Sequence, residues 1–264
     1  MKIKEIVSAL ERFAPLPLQD GFDNAGLQVG LTEAEATGAL LCLDVTEAVI
    51  DEAIGSGFNV IVAHHPLLFH GLKTLTGRNY IERCVMKAVK HGIVLYAAHT
   101  NLDNAPGGVS FKIAEKLGLQ NVRFLEMKTD VPSDIRMEAG SGVMGEFEHP
   151  MTKDVFLKRV KETFEVECVR FNNWQGTVKK VALCGGAGSF LMDKAVAEGA
   201  DAFMTGEIGY HDFFGREEDI LLVETGHYES EQYTVELIES IIKEACGDLP
   251  VKKTMVRTNP INYM

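Results

Sequence analysis

ALLCLDVTEAVIDEAIGSGFNVIVAHHP, residues 39–66, reads as a strand, a helix and a second strand that ends in two histidines and a proline. ALLCLDVT (39–46) is an apolar run without alternation, the pattern of a strand buried on both faces. TEAVIDEAIGSG (46–57) has helical character and closes on Gly57, and FNVIVA (58–63) is the next buried strand. Two such strands joined by a helix form a right-handed βαβ unit with a parallel pair. His64 and His65 then stand where that unit ends. Successive side chains of a strand point to opposite faces, so two adjacent imidazoles need an explanation.

The same rhythm continues along the chain. IERCVMKAVKHG (81–92) is a helix and IVLYAAH (93–99) a strand. Further on, VKKVALC (178–184), ADAFMTGE (200–207) and DILLVETG (219–226) read as strands, GVMGEFEH (142–149) as another. TKDVFLKRVKETF (152–164), SFLMDKAVAEG (189–199) and a long amphipathic run from Glu229 to Ala245 read as helices. The fold class is α/β with largely parallel sheets. Residues 127–142 have weak periodicity and carry Pro132, Gly140 and Gly142, so the expected halves are 1–127 and 128–264. Residues 220–264 are expected to pack against the first half.

The halves look related. Leu41, Cys42, Asp51, Ala53 and Gly57 match Leu183, Cys184, Asp193, Ala195 and Gly199 at one offset (183 − 41 = 142). His99 and Asp103 match His227 and Glu231 at another (227 − 99 = 128). These correspondences point to internal duplication.

With 264 residues and 46% hydrophobic content, a substantial core is expected. Asp and Glu number 38 against 26 Lys and Arg, a net charge of −12, which argues against nonspecific nucleic-acid binding. No apolar run approaches the roughly 18 residues of a membrane helix. MKIKEIVSALERFAPL interleaves charge with apolar residues and reads as an amphipathic helix, not a signal peptide. The five cysteines are scattered, without a C-x-x-C pair, as in a reduced, cytoplasmic protein.

Active sites of open parallel sheets lie beyond the carboxyl ends of the strands. Three strands here end in HHP (64–66), HTNLD (99–103) and GHYESE (226–231). Imidazoles with carboxylates suit zinc, iron or manganese. Where a strand gives way to a turn, His64 and His65 can splay toward two neighbouring ions, roughly 3.5–4 Å apart in two-metal sites. Pro66 stops the ladder there. CGGAGS (184–189) is a Gly-rich turn between a strand and a helix, and the N–H groups around Gly185, Gly186 and Gly188 are candidates for cradling phosphate. It lacks the P-loop Lys, so a plain strand-to-helix turn is the competing reading. His211 is the remaining histidine with the best claim to support the site.

At these residues the sequence resembles the GTP cyclohydrolase I type 2 homologues, also called Nif-three-like proteins. FDNAGLQVG, LDVTEAVIDEAI, IVAHHPLLF, AAHTNLD, CGGAGS, GADAFMTGE and GHYESE follow in the family's order over essentially the whole chain. Phe22 stands where Trp is common. The resemblance implies two interleaved α/β domains, a dinuclear metal site in the cleft between them, and a homohexamer. It implies His64, His65, Asp103, His227 and Glu231 as ligands of two divalent metal ions, with His99 beside the site as a candidate proton donor. The expected function is metal-dependent hydrolysis of a nucleotide or related small phosphorylated substrate. The alternative is a noncatalytic metal carrier or assembly scaffold.

Overall fold

The computed structural model describes residues 1–264. In chain order, the elements are α1 (Ile3–Phe13), β1 (Gly26–Val29), β2 (Ala39–Cys42), α2 (Glu47–Ser56), β3 (Val60–Ala63), α3 (Tyr80–His91) and β4 (Val94–Ala97). α4 (Thr100–Asp103), α5 (Val109–Leu117), β5 (Gln120–Met127), β6 (Gly140–Thr152), α6 (Lys153–Phe164), β7 (Arg170–Phe171) and β8 (Thr177–Cys184) follow. The chain ends with α7 (Met192–Ala197), β9 (Ala202–Thr205), β10 (Leu221–Glu224), α8 (His227–Glu231), α9 (Thr234–Cys246) and β11 (Val251–Lys253).

Two compact units result, one of residues 1–102 with 234–262, the other of residues 103–233 with 263–264. In the first, the sheet order is β1-β4-β3-β2-β11. β4, β3, β2 and β11 run parallel and β1 is antiparallel at the edge. Every residue of β2, β3 and β4 is buried, which is why these strands read as unbroken apolar runs. Thr46 caps α2 by accepting the Val49 N–H, and Asn79 caps α3 by accepting the Glu82 N–H. Leu40, Ile61 and Leu95 from the sheet pack with Val49, Ile50 and Ala88 from these helices.

The second unit has the order β5-β6-β8-β9-β10-β7. Its centre is the parallel trio β8, β9, β10, flanked by antiparallel β6 and β5 on one side and β7 on the other. Residues 127–140 connect β5 to its own antiparallel partner β6, and the chain passes between units at Leu102–Asp103, at Tyr233–Thr234 and at Asn262–Tyr263. α9 and β11 return to the first unit because β11 pairs with β2.

Strand registers carry the first sequence offset. Leu41 pairs with Val62 and Leu183 with Met204 (183 − 41 = 204 − 62 = 142). The second offset slips by one residue. Ala63 pairs with Ala97 and its counterpart Thr205 with Glu224 (224 − 97 = 127). His99 therefore precedes α4, whereas His227 is the first residue of α8. No helix is long and apolar enough to cross a membrane, and the five cysteines are free.

Candidate metal centre

In the first unit the backbone keeps pairing past the end of β3. His64 N–H donates to the Cys42 carbonyl at 3.1 Å and His65 N–H to the Leu43 carbonyl at 2.9 Å. This does not send the side chains to opposite faces. The two rings lie 4.8 Å apart, and His99 joins them at 5.3 and 5.5 Å. Each of the three offers one nitrogen, and these nitrogens lie within 4.8 Å of one another. His64 is fully buried (0% exposed).

Each ring is held by its Nδ1. His64 Nδ1 donates to the Ala98 carbonyl at 2.8 Å, His65 Nδ1 to Asp44 Oδ1 at 2.8 Å, and His99 Nδ1 to Asp23 Oδ1 at 2.7 Å. A carbonyl or carboxylate oxygen only accepts, so the proton belongs on Nδ1 and Nε2 carries the lone pair. Burial opposes the charge on Asp23, but hydrogen bonds from His99 and Thr100 outweigh it and bring its carboxyl down to about 2. Burial likewise works against Asp44. Its hydrogen bonds from His65 and Thr258 hold it below the ordinary carboxylate range. Asp103 is the last residue of α4, half-buried, in a turn where the Asn101 side chain accepts the His99 N–H at 3.0 Å.

In the second unit β10 leads through Gly226 to α8. Gly226 has φ +94°, and a Cβ there would sit 2.3 Å from Glu229 Oε2, so only glycine makes this entry. His227 and Glu231 lie on one face of α8, with Nε2 3.1 Å from Oε2. Glu231 is 4% exposed. His227 Nδ1 donates to Glu207 Oε1 at 2.7 Å. Glu207 follows β9 at the offset that places it opposite His65 in the duplication (207 − 65 = 142).

The Gly-rich turn serves this helix. Gly186 N–H donates to Ser230 Oγ at 3.0 Å and Gly188 N–H to Thr205 Oγ1 at 2.9 Å, so both are engaged within the protein. A Cβ on Gly186 would lie 2.4 Å from Glu231 Oε1 and 3.2 Å from His227 Cε1. The glycine makes room for the two candidate ligands. His211 is exposed and stacks with Phe214, and Glu207 is the residue that holds His227.

The Duf34/NIF3 (NGG1p interacting factor 3) family model matches residues 1–260. The chain belongs to this family. A Clostridium perfringens relative named GTP cyclohydrolase 1 type 2 homolog is 35% identical, covering 92% of each chain. Among solved structures, Staphylococcus aureus protein SA1388 superposes with a TM-score of 0.91 at 28% identity, over 100% of this chain and 99% of that one. A Bacillus cereus protein related to NIF3 gives 0.89 at 25% identity, with 100% and 99% coverage.

For a Duf34/NIF3 chain, the donor chemistry is a coherent fit to borderline divalent ions. Imidazole Nε2 atoms and carboxylates are the right ligand types, and the remaining ring nitrogens are tied to oxygen acceptors, as metal-bound histidines require. Asp23, Asp44 and Glu207, which provide three of those acceptors, escaped the sequence reading. Asp23 lies in FDNAGLQVG and Glu207 in MTGE, so position in a motif was the available signal, while nothing local distinguished their roles from turn formation.

Proposed function

We propose that this protein is a dinuclear metal-dependent hydrolase acting on a nucleotide or related small phosphorylated molecule. His64, His65, Asp103, His227 and Glu231 would hold the two ions, with zinc, iron or manganese as the matching metals. The observation that carries the reading is the common arrangement of the histidines: Nδ1 donates to a fixed oxygen and Nε2 is presented. The relatives' printed name, GTP cyclohydrolase 1 type 2 homolog, supports a nucleotide as the first substrate to try.

When bound, such ions supply Lewis acidity and make a water nucleophile available near neutral pH. The chain's own residues do the rest. Asp44 and Glu207 orient His65 and His227. His99, with Nδ1–H held by Asp23, accepts a proton at Nε2 and returns it to the departing group, and the Asp23 carboxylate stabilises the charged ring in between. The second reading is a noncatalytic metal carrier or scaffold. The engagement of Gly186 and Gly188 N–H groups inside the protein favours it, because a phosphate would have to find other donors.

Metal analysis of the purified chain, followed by a nucleotide screen with formate and phosphate release both measured, tests the proposal. Two ions per chain with metal-dependent release of either product is expected. Absence of divalent metal at stoichiometric level overturns the metal reading, and bound metal without turnover moves the protein to the carrier class. A cytoplasmic homohexamer belongs to the same proposal, with light scattering as the check on assembly.

A further inference from the structure

After β11 the chain continues as an extended strap, TMVRT (254–258), whose residues alternate between half-buried Thr254, Val256 and Thr258 and exposed Met255 and Arg257. Thr254 N–H donates to the Leu41 carbonyl at 2.8 Å, prolonging the pairing with β2. Glu52 on α2 then holds the strap. It accepts the Thr254 hydroxyl and the Met255 N–H at 3.0 Å. Val256 packs against the core of the first unit. The strap thereby brings the Thr258 hydroxyl to Asp44 Oδ2 at 2.9 Å, while Asp44 Oδ1 accepts His65 Nδ1–H at 2.8 Å.

We propose that Thr258 is a positioning residue for His65: it fixes the Asp44 carboxylate, which fixes the imidazole, so the carboxy-terminal strap sets how tightly His65 can hold a metal ion. The proposal rests on the metal-binding reading above. A carboxylate bonded through one oxygen only can rotate about its side-chain torsions, and the strap removes that freedom by bonding the second oxygen. Asp44 stands two residues beyond Cys42, the last residue of β2, where the sheet ladder no longer constrains it. The strap supplies the missing constraint from a segment more than two hundred residues away (258 − 44 = 214). Four anchoring contacts along 254–258 make its register definite, so the hydroxyl arrives at one place and not over a range.

The test uses the full chain with Thr258→Val, which keeps the shape and deletes the hydroxyl, Thr258→Ser as the restoring variant, and Asp44→Ala. Zn²⁺ affinity is measured by competition with a chelating dye for Thr258→Val in the wild-type and Asp44→Ala backgrounds. Partners that touch a ligand directly are worth roughly 10–100-fold in affinity. Acting one bond further out, Thr258→Val should weaken Zn²⁺ binding by about 3–10-fold, less than that direct effect. Thr258→Ser should restore it, and Thr258→Val should have no further effect once Asp44 is gone. A loss of equal size in both backgrounds would show a merely structural role and overturn the proposal, as would unchanged affinity.

Exchange of the His65 Nδ1–H, followed by NMR in metal-free protein, gives a readout independent of the metal. It should quicken several-fold in Thr258→Val, with His64 Nδ1–H on the Ala98 carbonyl as the unaffected control. If the wild type binds no Zn²⁺, the metal reading fails, and this exchange alone decides whether Thr258 positions His65. Unchanged exchange overturns the positioning role in either case. Should Thr258→Val not fold, Thr258→Ala replaces it in the same cycle.

Discussion

Asp23 accepts the Nδ1–H of His99 at 2.7 Å through one oxygen and the Thr100 N–H at 3.0 Å through the other. This carboxylate comes from the loop before β1 and grips both the histidine and the residue that begins α4. The grip leaves His99 with a fixed ring and a presented Nε2, beside His64 and His65. His99→Gln retains polarity but cannot carry a proton. Metal content by atomic emission should be unchanged, and turnover on whichever substrate the screen returns should fall by roughly 10²–10⁴. Loss of one ion from this variant would place His99 among the ligands.

Under the proposed metal reading, Asp103 would supply a carboxylate to the ions. Asp103→Asn keeps its size and removes the charge. It should lower metal occupancy while the far-ultraviolet circular dichroism stays that of the wild type. Two ions retained at wild-type affinity would remove Asp103 from the ligand set.

Glu207 touches His227 at Nδ1 and is 59% exposed, so it contributes orientation more than packing. Glu207→Ala should weaken metal binding about 10–100-fold, as for other partners of ligating histidines. Its melting temperature without metal should scarcely move, because an exposed substitution is usually within about 0.5 kcal/mol. Calorimetric titration with Zn²⁺ and a thermal melt check the two halves of this expectation.

Gly186 has φ +58° and approaches Glu231 where a Cβ would meet Oε1 at 2.4 Å. Gly186→Ala should cost about 1–2 kcal/mol for the left-handed backbone alone. It should also displace the Glu231 carboxylate. Metal affinity should therefore fall by more than the change in stability explains, and a Gly188→Ala control should lower stability through Cys184 and Thr205, 2.4 and 2.7 Å from its Cβ.

Glu82 is a stability element away from the candidate centre. The Thr76 N–H, with the Thr76 hydroxyl and the Arg78 N–H, outweighs burial and brings its carboxyl from 4.5 down to about 2. A depressed folded pKa means that the stabilisation is complete above pH 4.5 and is lost as the pH falls toward 2. Glu82→Gln should melt at a lower temperature at pH 6, and the difference from wild type should shrink between pH 4.5 and 2.5. A gap that stays constant over that range would show that the charge on Glu82 does not matter.

Strands β2, β3 and β4 were legible in the sequence because a strand buried on both faces must be apolar at every position, and short-range pattern records that directly. Gly57 at the end of α2 acts within one turn and belongs to the same local code. His64, His65, His99 and His227 were visible as well, since they stand next to strand ends that periodicity locates. Tertiary structure alone decided which oxygen holds each ring. Asp44 precedes His65 by 21 residues, Asp23 precedes His99 by 76, and Thr258 lies 214 beyond Asp44. No periodicity spans such distances, because these pairs meet only after separate strands and loops have been stacked by burial of the core. The role of Gly186 was hidden for the same reason: a glycine that makes room for Glu231 looks, in sequence, like a glycine that makes a turn.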